Sequence, residues 1–349
     1  MQLDTRYLTD VLVQLLNTPS PTGDTARGTA LCQEILCKFD DLKVRNTRKG
    51  NLVATWPGQR EDAPRGVTAH IDTIGAMVKE ILPSGRLLMS QLGSYDWTAI
   101  ENEGVTIQTA SGPQYRGAVL FANPSYHVHK KDDRIDDKPR TPSTLEVRID
   151  ARTASAAETR QLGIEIGDFI YLDPRVEINN DFIRSRHLDD KACIACLFTA
   201  VKAMHDAGQI PVQRTTIHVA NYEEVCHGGS SGFPEDLAEV LAVDVAPLGT
   251  GQNSDEYSCS IGMLDADGPY DPIMNRKLRR LAARHDIPLR PDIYPQYASD
   301  AKALWKAGAD VRVAVVGPGV DDTHGYERTH FDALIATTRL IVAYLMDEE

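Results

Sequence analysis

The sequence lacks an excess of positive charge. Its 349 residues include 37 Lys and Arg against 50 Asp and Glu, which gives a formal net charge of -13. A nucleic-acid-binding protein needs a basic stripe that neutralises phosphates, and a protein that docks on anionic lipid needs a similar cluster of basic residues. We therefore expect neither nucleic acid nor a membrane surface as a partner.

Long hydrophobic runs are also missing. The longest apolar stretch, residues 340–346, is far shorter than the roughly 20 residues that a membrane-spanning helix requires. The opening residues, Met1-Gln2-Leu3-Asp4, are not the basic segment followed by an apolar one that marks a secretory signal. We therefore expect a cytoplasmic protein that does not enter a membrane.

Cysteine is scarce as well. Six cysteines in a chain of this length exclude a dense disulfide scaffold and favour reduced thiols. Cys193 and Cys196 form a single C-x-x-C motif, without a second pair or nearby histidines at zinc-finger spacing. They lie in an apolar segment typical of a buried helix, on which positions three apart are neighbours. Core thiols are therefore favoured over a redox or zinc pair.

The order of apolar patterns predicts an α/β fold. Helical periodicity at 5–16 and at roughly 24–38 precedes strands at 51–56 and 66–70, and helices and strands alternate again after residue 178. Such alternation is typical of an α/β architecture with a mostly parallel central sheet. We therefore expect one three-layer α/β/α domain, formed by residues 1–76 and 177–349.

A β-rich block interrupts this domain. From about residue 79, several short strand-like stretches follow one another with Gly, Pro and Asn turns between them, which predicts an inserted, barrel-like β-domain over 77–176. Within it, residues 126–140 have the composition of an exposed charged loop. His127 and His129 lie there beside four Asp residues, and a solvated run of charge is favoured over a metal site.

Histidine and aspartate side chains stand at the ends of predicted elements. His70 and Asp72 follow an apolar strand at an i, i+2 spacing, so Asp72 can orient a metal-binding His70 through its other ring nitrogen. Asp189 and Asp190 open a helix, where a carboxylate can bridge two metals. Alone, the H-x-D motif is weak, and an ordinary N-cap is the simpler interpretation of an Asp at a helix start.

Two adjacent glutamates, Glu223 and Glu224, follow a predicted strand at 215–220. Adjacent side chains of an extended chain point to opposite sides, which suits one metal ligand plus one general base and argues against a glycosidase pair. Asp244 stands in an apolar strand, and His324 follows another strand and loop. Each residue alone is ambiguous, and a bare Glu-Glu pair also fits a solvated turn. Their joint order at strand ends of an α/β sheet favours a hydrolytic metal site.

These motifs resemble those of the dinuclear aminopeptidases of the tetrahedral type, metallopeptidase family forty-two, near the glutamyl and deblocking aminopeptidases. The resemblance covers nearly the whole chain, and the stretches that carry it are Asn17-Thr-Pro-Ser-Pro-Thr-Gly, His70-Ile-Asp-Thr-Ile-Gly-Ala-Met-Val, His187-Leu-Asp-Asp-Lys-Ala, Tyr222-Glu-Glu-Val, Val243-Asp-Val, Ala298-Ser-Asp-Ala and His324-Gly-Tyr-Glu. The resemblance implies a metallopeptidase domain with an inserted dimerisation domain. It also implies homo-oligomers, from dimers to rings or dodecamers.

The resemblance further implies a role for each candidate residue. Two divalent ions are expected, with zinc as the first choice and cobalt or manganese as alternatives. Glu223 is expected to act as general base and acid for a metal-activated water. In the implied site His70 and Asp244 hold one ion, Glu224 and His324 hold the other, Asp189 bridges the two, and Asp72 orients His70.

Several positions depart from the family pattern without removing a ligand. Thr73 stands where the family usually has Glu, and Cys226 with His227 follows the Glu pair where small residues are usual. Such departures put the choice of substrate in question. Other stretches, among them Gly251-Gln-Asn-Ser and Gly268-Pro-Tyr-Asp, resemble the subgroup associated with the osmoprotectant N-acetylglutaminylglutamine amide.

The sequence therefore predicts a metal-dependent aminopeptidase that hydrolyses the N-terminal peptide bond of short peptides. Two alternatives stay open. One is an amidase or deacylase on the same scaffold that acts on N-acylated or amidated dipeptides, which an N-acetylated substrate would distinguish from an aminopeptidase. The other is a non-catalytic assembly or binding protein that kept the fold, which the intact set of implied ligands disfavours.

Overall fold

The computed structural model describes residues 1–129 and 138–349. The chain forms two compact units, one made of Met1–Thr73 with Arg175–Glu349 and the other of Ile74–Pro174. Residues 130–137, which include the four Asp residues of the predicted charged loop, lie outside the described residues. The described residue His129 donates from Nε2 to the main-chain oxygen of Asn123 at 2.8 Å.

Several helices begin where the sequence offers a capping side chain. Asp4 accepts the amide of Tyr7 at 2.9 Å to start the first helix, and Asp271 followed by Pro272 starts the fifth. The α-helices of the described residues are α1 Thr5–Leu16, α2 Ala26–Leu36, α3 Ala156–Gln161, α4 Leu188–Asp206, α5 Pro272–Arg284, α6 Asp300–Lys306 and α7 Phe331–Leu345.

The strands fall into both units, with β4 to β9 in the second unit. In chain order they are β1 Lys43–Asn46, β2 Leu52–Trp56, β3 Arg60–His70, β4 Gly75–Ile81, β5 Leu87–Leu92, β6 Gly104–Gln108, β7 Gln114–Phe121, β8 Leu145–Ile149, β9 Phe169–Leu172, β10 Glu177–Asn179, β11 Phe182–Arg184, β12 Gln213–Ala220, β13 Glu239–Val243, β14 Ala246–Pro247, β15 Cys259–Asp265, β16 Gly268–Pro269, β17 Leu289–Tyr294, β18 Arg312–Val320 and β19 Arg328–His330.

A ten-stranded sheet forms the centre of the first unit. Its order is β1-β2-β12-β3-β13-β18-β15-β16, with β14 paired to β18 and β17 paired to β15. The four central strands, β12, β3, β13 and β18, run parallel to one another. Their carboxyl ends therefore meet at one edge of the sheet, which is where α/β folds place their ligands.

The central strands are buried on both faces. In β13, Leu241 and Val243 join the core that α1, α4 and α7 cover, whereas Val240 and Ala242 join a smaller core beneath α6. Because successive side chains of a strand point to opposite faces, an apolar run without alternation is what a strand between two helical layers requires.

The helix α4 lies inside this core. Most of its side chains are buried, including Cys193 and Cys196. All six cysteines of the chain are free, which confirms the interpretation of this C-x-x-C motif as core thiols. Asp189 and Asp190 lie in the first turn of α4 but have non-helical backbone angles, and the peptide bond between them is cis.

The second unit is a closed antiparallel barrel. Its six strands follow the order β4-β5-β8-β7-β6-β9, and their inward side chains form a separate apolar core. The predicted fold class is thereby confirmed: a mostly parallel central sheet with helices, interrupted by an inserted β-barrel. None of the helices in residues 1–129 and 138–349 combines the length and the apolar character that crossing a membrane requires.

A buried network of charges connects the sheet to the C-terminal segment. Lys277 on α5 donates to both carboxylate oxygens of Glu239 at 2.9 Å. Nε of Arg65 lies 3.7 Å from the same carboxylate, and Nη1 of Arg65 donates to the main-chain oxygen of Tyr344 on α7 at 2.7 Å. Since all these side chains are buried, each charge depends on its partners for the solvation that it has lost.

Replacing Lys277 with Met is expected to lower the free energy of unfolding by about 3 kcal/mol, because Glu239 loses its closest compensating charge inside the protein. Urea unfolding followed by circular dichroism measures the change. Arg279→Met is the matched control, since Arg279 is on the same helix but exposed, and it should cost less than about 0.5 kcal/mol. Equally small losses in the two variants would contradict this account of the network.

Candidate metal centre

Loops and turns at the carboxyl edge of the sheet bring the predicted site residues together. β3 ends at His70, and β12 leads into the 3-10 turn Glu223–Val225. Asp244 follows β13 directly, and the loop after β18 carries His324. Asp189 comes from the first turn of α4, a helix that packs on the same strands. Residues far apart in sequence thus meet where parallel strands end.

These side chains form two groups that share one residue. The candidate ligand atoms of His70, Asp189 and Asp244 all lie within 4.8 Å of one another, and so do those of Asp189, Glu224 and His324. Asp189 belongs to both groups because its oxygens face different imidazoles. Oδ1 lies 3.0 Å from Nε2 of His70, and Oδ2 lies 3.4 Å from Nε2 of His324. Every residue predicted to be a metal ligand is in one of these groups.

Glu223 belongs to neither group but lies beside the first. Its Oε2 is 3.6 Å from Nε2 of His70, whereas Oε2 of Glu224 is 3.6 Å from Nε2 of His324. The two neighbouring glutamates therefore face different histidines and occupy different places in the site. The side chain of Glu223 is 13% exposed and that of Glu224 is 3% exposed, so Glu223 is the more accessible of the two.

Asp72 contacts the ring of His70 and also the main chain of the glutamate pair. Nδ1 of His70 donates to the main-chain oxygen of Asp72 at 2.8 Å, and the nearest carboxylate oxygen lies at 3.6 Å. The carboxylate of Asp72 also accepts the main-chain amides of Glu223 at 3.1 Å and Glu224 at 3.2 Å. Because β3 ends at His70, the strand geometry that places i and i+2 on one face does not extend to Asp72.

Two further carboxylates, to which the sequence assigned no role, lie at the site. Glu327 accepts the main-chain amides of Asp189 and His324, each at 3.0 Å, and so links the shared carboxylate to the loop after β18. Asp190 accepts the main-chain amide of His70 at 3.0 Å. Both are buried. Glu327 stands three residues after His324, and this spacing identifies it as a residue of the site only once the loop conformation is known.

Burial controls the protonation of these carboxylates. It raises the pKa of Glu224 to about 8 and that of Asp244 to about 8, and it also raises the pKa of Glu223. Asp189 is the exception. Burial alone would raise its pKa, but hydrogen bonds from His324 and His70 outweigh burial and hold the pKa below the usual range. The carboxylate shared by both groups is thus the one most readily ionised.

The donor set fits divalent cations. Several buried carboxylates close together are costly unless positive charge compensates them, and two imidazoles provide only part of that charge. Histidine nitrogens with carboxylate oxygens are donors that zinc, cobalt and manganese accept. Each of the two groups supplies three such donors, counting Asp189 in both.

Comparison with known proteins points to one family. The sequence profile of the family described as M42 glutamyl aminopeptidase matches residues 50–340. The curated relative named "Putative aminopeptidase YhfE", from Bacillus subtilis (strain 168), is 40% identical over 341 residues, which cover 97% of this chain and 97% of the relative.

Solved structures share the fold. The TET aminopeptidase from the marine sediment archaeon Thaumarchaeota archaeon SCGC AB-539-E09 matches with a TM-score of 0.88 at 17% identity, over 98% of this chain and 97% of that chain. The TET1 peptidase of Pyrococcus horikoshii matches with a TM-score of 0.83 at 21% identity, over 97% of this chain and 99% of that chain. At such identities the likeness concerns the fold alone.

The family match and the bacterial relative together identify the family, which the likeness of folds alone does not. Both extend over most of the chain, and the matched segment contains every residue of the two candidate ligand groups. The chain therefore belongs to the M42 family and is an aminopeptidase of this group of metallopeptidases.

Proposed function

We propose that this chain is a dinuclear metal-dependent aminopeptidase that removes the N-terminal residue of short peptides, with Glu223 as the general base. The observation that carries the proposal is the pair of ligand groups that share Asp189, with Glu223 beside them and outside both groups. A site with two sets of donors and a separate carboxylate has the division of labour that metal-assisted hydrolysis needs.

Five residues would hold the ions. His70 and Asp244 would bind one ion, Glu224 and His324 would bind the other, and Asp189 would contact both. When bound, two divalent ions supply Lewis acidity, which lowers the pKa of a water molecule and polarises the carbonyl of the bond to be cut. Zinc is the first choice because it commonly binds histidine and carboxylate together, and cobalt and manganese accept the same donors.

Glu223 would move the proton. Its carboxylate accepts a proton from the attacking water and passes it to the nitrogen of the departing amine, so that the carboxylate is regenerated. Burial raises the pKa of Glu223 above its ordinary value, which brings the group closer to the pH at which a base can both accept and return a proton. Asp72 would hold the backbone of the glutamate pair, and its main-chain oxygen would fix the orientation of the His70 ring.

The assembly of the chain is a further part of the proposal. We expect a homo-oligomer, either a dimer or a dodecamer built from dimers, with the β-barrel unit as the dimerisation domain. In support, the TET1 peptidase of Pyrococcus horikoshii can assemble into a tetrahedron or a large octahedral shell. Light scattering coupled to gel filtration would measure the mass, and a monomer would contradict this part.

The osmoprotectant subgroup and the cytoplasmic location stay predictions.

The first test of the mechanism replaces Glu223 with Gln, which keeps the shape of the side chain but removes its basicity. We expect kcat to fall by roughly 100-fold to 10,000-fold, while elemental analysis shows unchanged metal content. Glu235→Gln is the matched control because Glu235 is exposed and outside the site, and it should leave kcat unchanged. Full turnover by Glu223→Gln, or loss of metal, would overturn its role as the base.

The second test concerns the substrate. A panel of dipeptides and tripeptides is offered with a free amine or with an N-acetyl group, before and after chelation and after metal is restored. Cleavage restricted to free-amine peptides, abolished by the chelator and recovered with metal, is the expected result. Cleavage of blocked peptides alone would turn the proposal into that of an amidase or deacylase. No cleavage with any restored metal would favour a binding protein.

A further inference from the structure

A buried hydroxyl group from the N-terminal segment reaches the carboxylate beneath the glutamate pair. Thr22 belongs to the loop between α1 and α2, and its residue is 4% exposed. Its Oγ1 donates to Oδ2 of Asp72 at 2.7 Å. Asp72 is fully buried, so its charge depends on hydrogen-bond donors such as this hydroxyl for solvation.

The same carboxylate holds the turn that carries Glu223 and Glu224. Oδ1 of Asp72 accepts the amide of Glu223, and Oδ2 accepts the amide of Glu224 together with the hydroxyl of Thr22. The turn needs such support because the residues on either side of it, Tyr222 at φ 75° and Cys226 at φ 67°, have left-handed backbone. Non-glycine residues adopt that conformation only when their surroundings stabilise it.

The loop around Thr22 is itself fixed to the strand end that carries His70. The amide of Thr22 donates to the main-chain oxygen of Thr73 at 3.1 Å, and the amide of Thr73 donates to the main-chain oxygen of Ser20 at 3.0 Å. Oγ of Ser20 donates to the main-chain oxygen of Ile71 at 2.8 Å. Three hydrogen bonds thus hold residues 20–22 against the segment that contains Asp72.

A buried lysine fixes the same loop to the helix that supplies Asp189. Nζ of Lys191, two residues after Asp189 on α4, donates to the main-chain oxygen of Thr18 at 2.7 Å. Lys191 is almost fully buried, so little water is available to take the place of the Thr18 carbonyl as its hydrogen-bond partner. Residues 18–22 therefore contact both the strand end that carries His70 and the helix that carries Asp189.

We propose that Thr22 is a positioning residue of the metal centre, which acts through Asp72 to hold the Glu223–Val225 turn. Its hydroxyl anchors one oxygen of the Asp72 carboxylate, so both oxygens stay aligned with the two amides of the turn. The base and the Glu224 ligand then keep fixed places relative to His70 and His324. This inference rests on the proposed function for its catalytic consequence and on the hydrogen bonds alone for its structural part.

The test compares Thr22→Val, which keeps the shape but removes the hydroxyl, with Thr22→Ser, which keeps the hydroxyl. Amide hydrogen exchange of the full-length protein, measured with and without metal, reports on Glu223 and Glu224 directly. In Thr22→Val the amides of Glu223 and Glu224 should exchange roughly 10-fold faster than in the wild type. The same variant should have a kcat lower by roughly 10-fold to 100-fold, with KM changed much less. Thr22→Ser should restore most of both properties.

Thr199→Val is the matched control, because it removes a buried threonine hydroxyl that donates within α4, to the main-chain oxygen of Ala195. It should leave the exchange of Glu223 and Glu224 unchanged. Thr22→Ala is the second variant should Thr22→Val fail to fold. The proposal is overturned if exchange at Glu223 and Glu224 in the Thr22 variants equals that in Thr199→Val. If the wild-type protein cleaves no peptide, the proposed function fails, while the exchange rates still decide the role of Thr22.

Discussion

The sharing of Asp189 between two imidazoles is the constraint on which the rest of the site depends. One carboxylate can face both histidines only if the first turn of α4, the end of β3 and the loop after β18 meet at one point. Glu327 holds two of these segments together through the amides of Asp189 and His324. The parallel order β12-β3-β13-β18 provides the meeting point, because the carboxyl ends of all four strands lie at one edge.

Burial shifts the pKa values of these groups, and it also makes their charges unfavourable for the stability of the fold. Water is excluded from the site, so the pKa values of Glu224 and Asp244 rise, whereas the pKa of the carboxylate between the imidazoles is lowered. Isolated charges would destabilise such a core, so neighbouring hydrogen bonds and bound cations have to offset them. The Thr22–Asp72 pair belongs to this support, because it keeps the glutamate turn in place through the main-chain amides of the turn.

Periodicity predicts the elements of this fold better than it predicts the contacts between them. The apolar spacing over 5–16 matches α1 because that helix buries one continuous face. The sequence predicts that Asp189 and Asp190 open a helix, and both lie in the first turn of α4, although their backbone is not helical. The i, i+2 argument for His70 and Asp72 assumed extended backbone, which ends at His70, and the closest contact of Asp72 with the His70 ring is made by its main-chain oxygen. Contacts of Glu327 and Thr22 depend on loop conformations, for which no local pattern exists.

Metal stoichiometry of three proteins tests the central claim, that Asp189 serves both ligand groups. Elemental analysis would compare the wild type with Asp189→Asn and with Asp244→Asn, all purified in the same way and dialysed against the same metal. The account predicts about two ions per chain in the wild type, about one in Asp244→Asn and close to none in Asp189→Asn. Equal metal content in the two variants, or full occupancy of Asp189→Asn, would contradict a shared carboxylate.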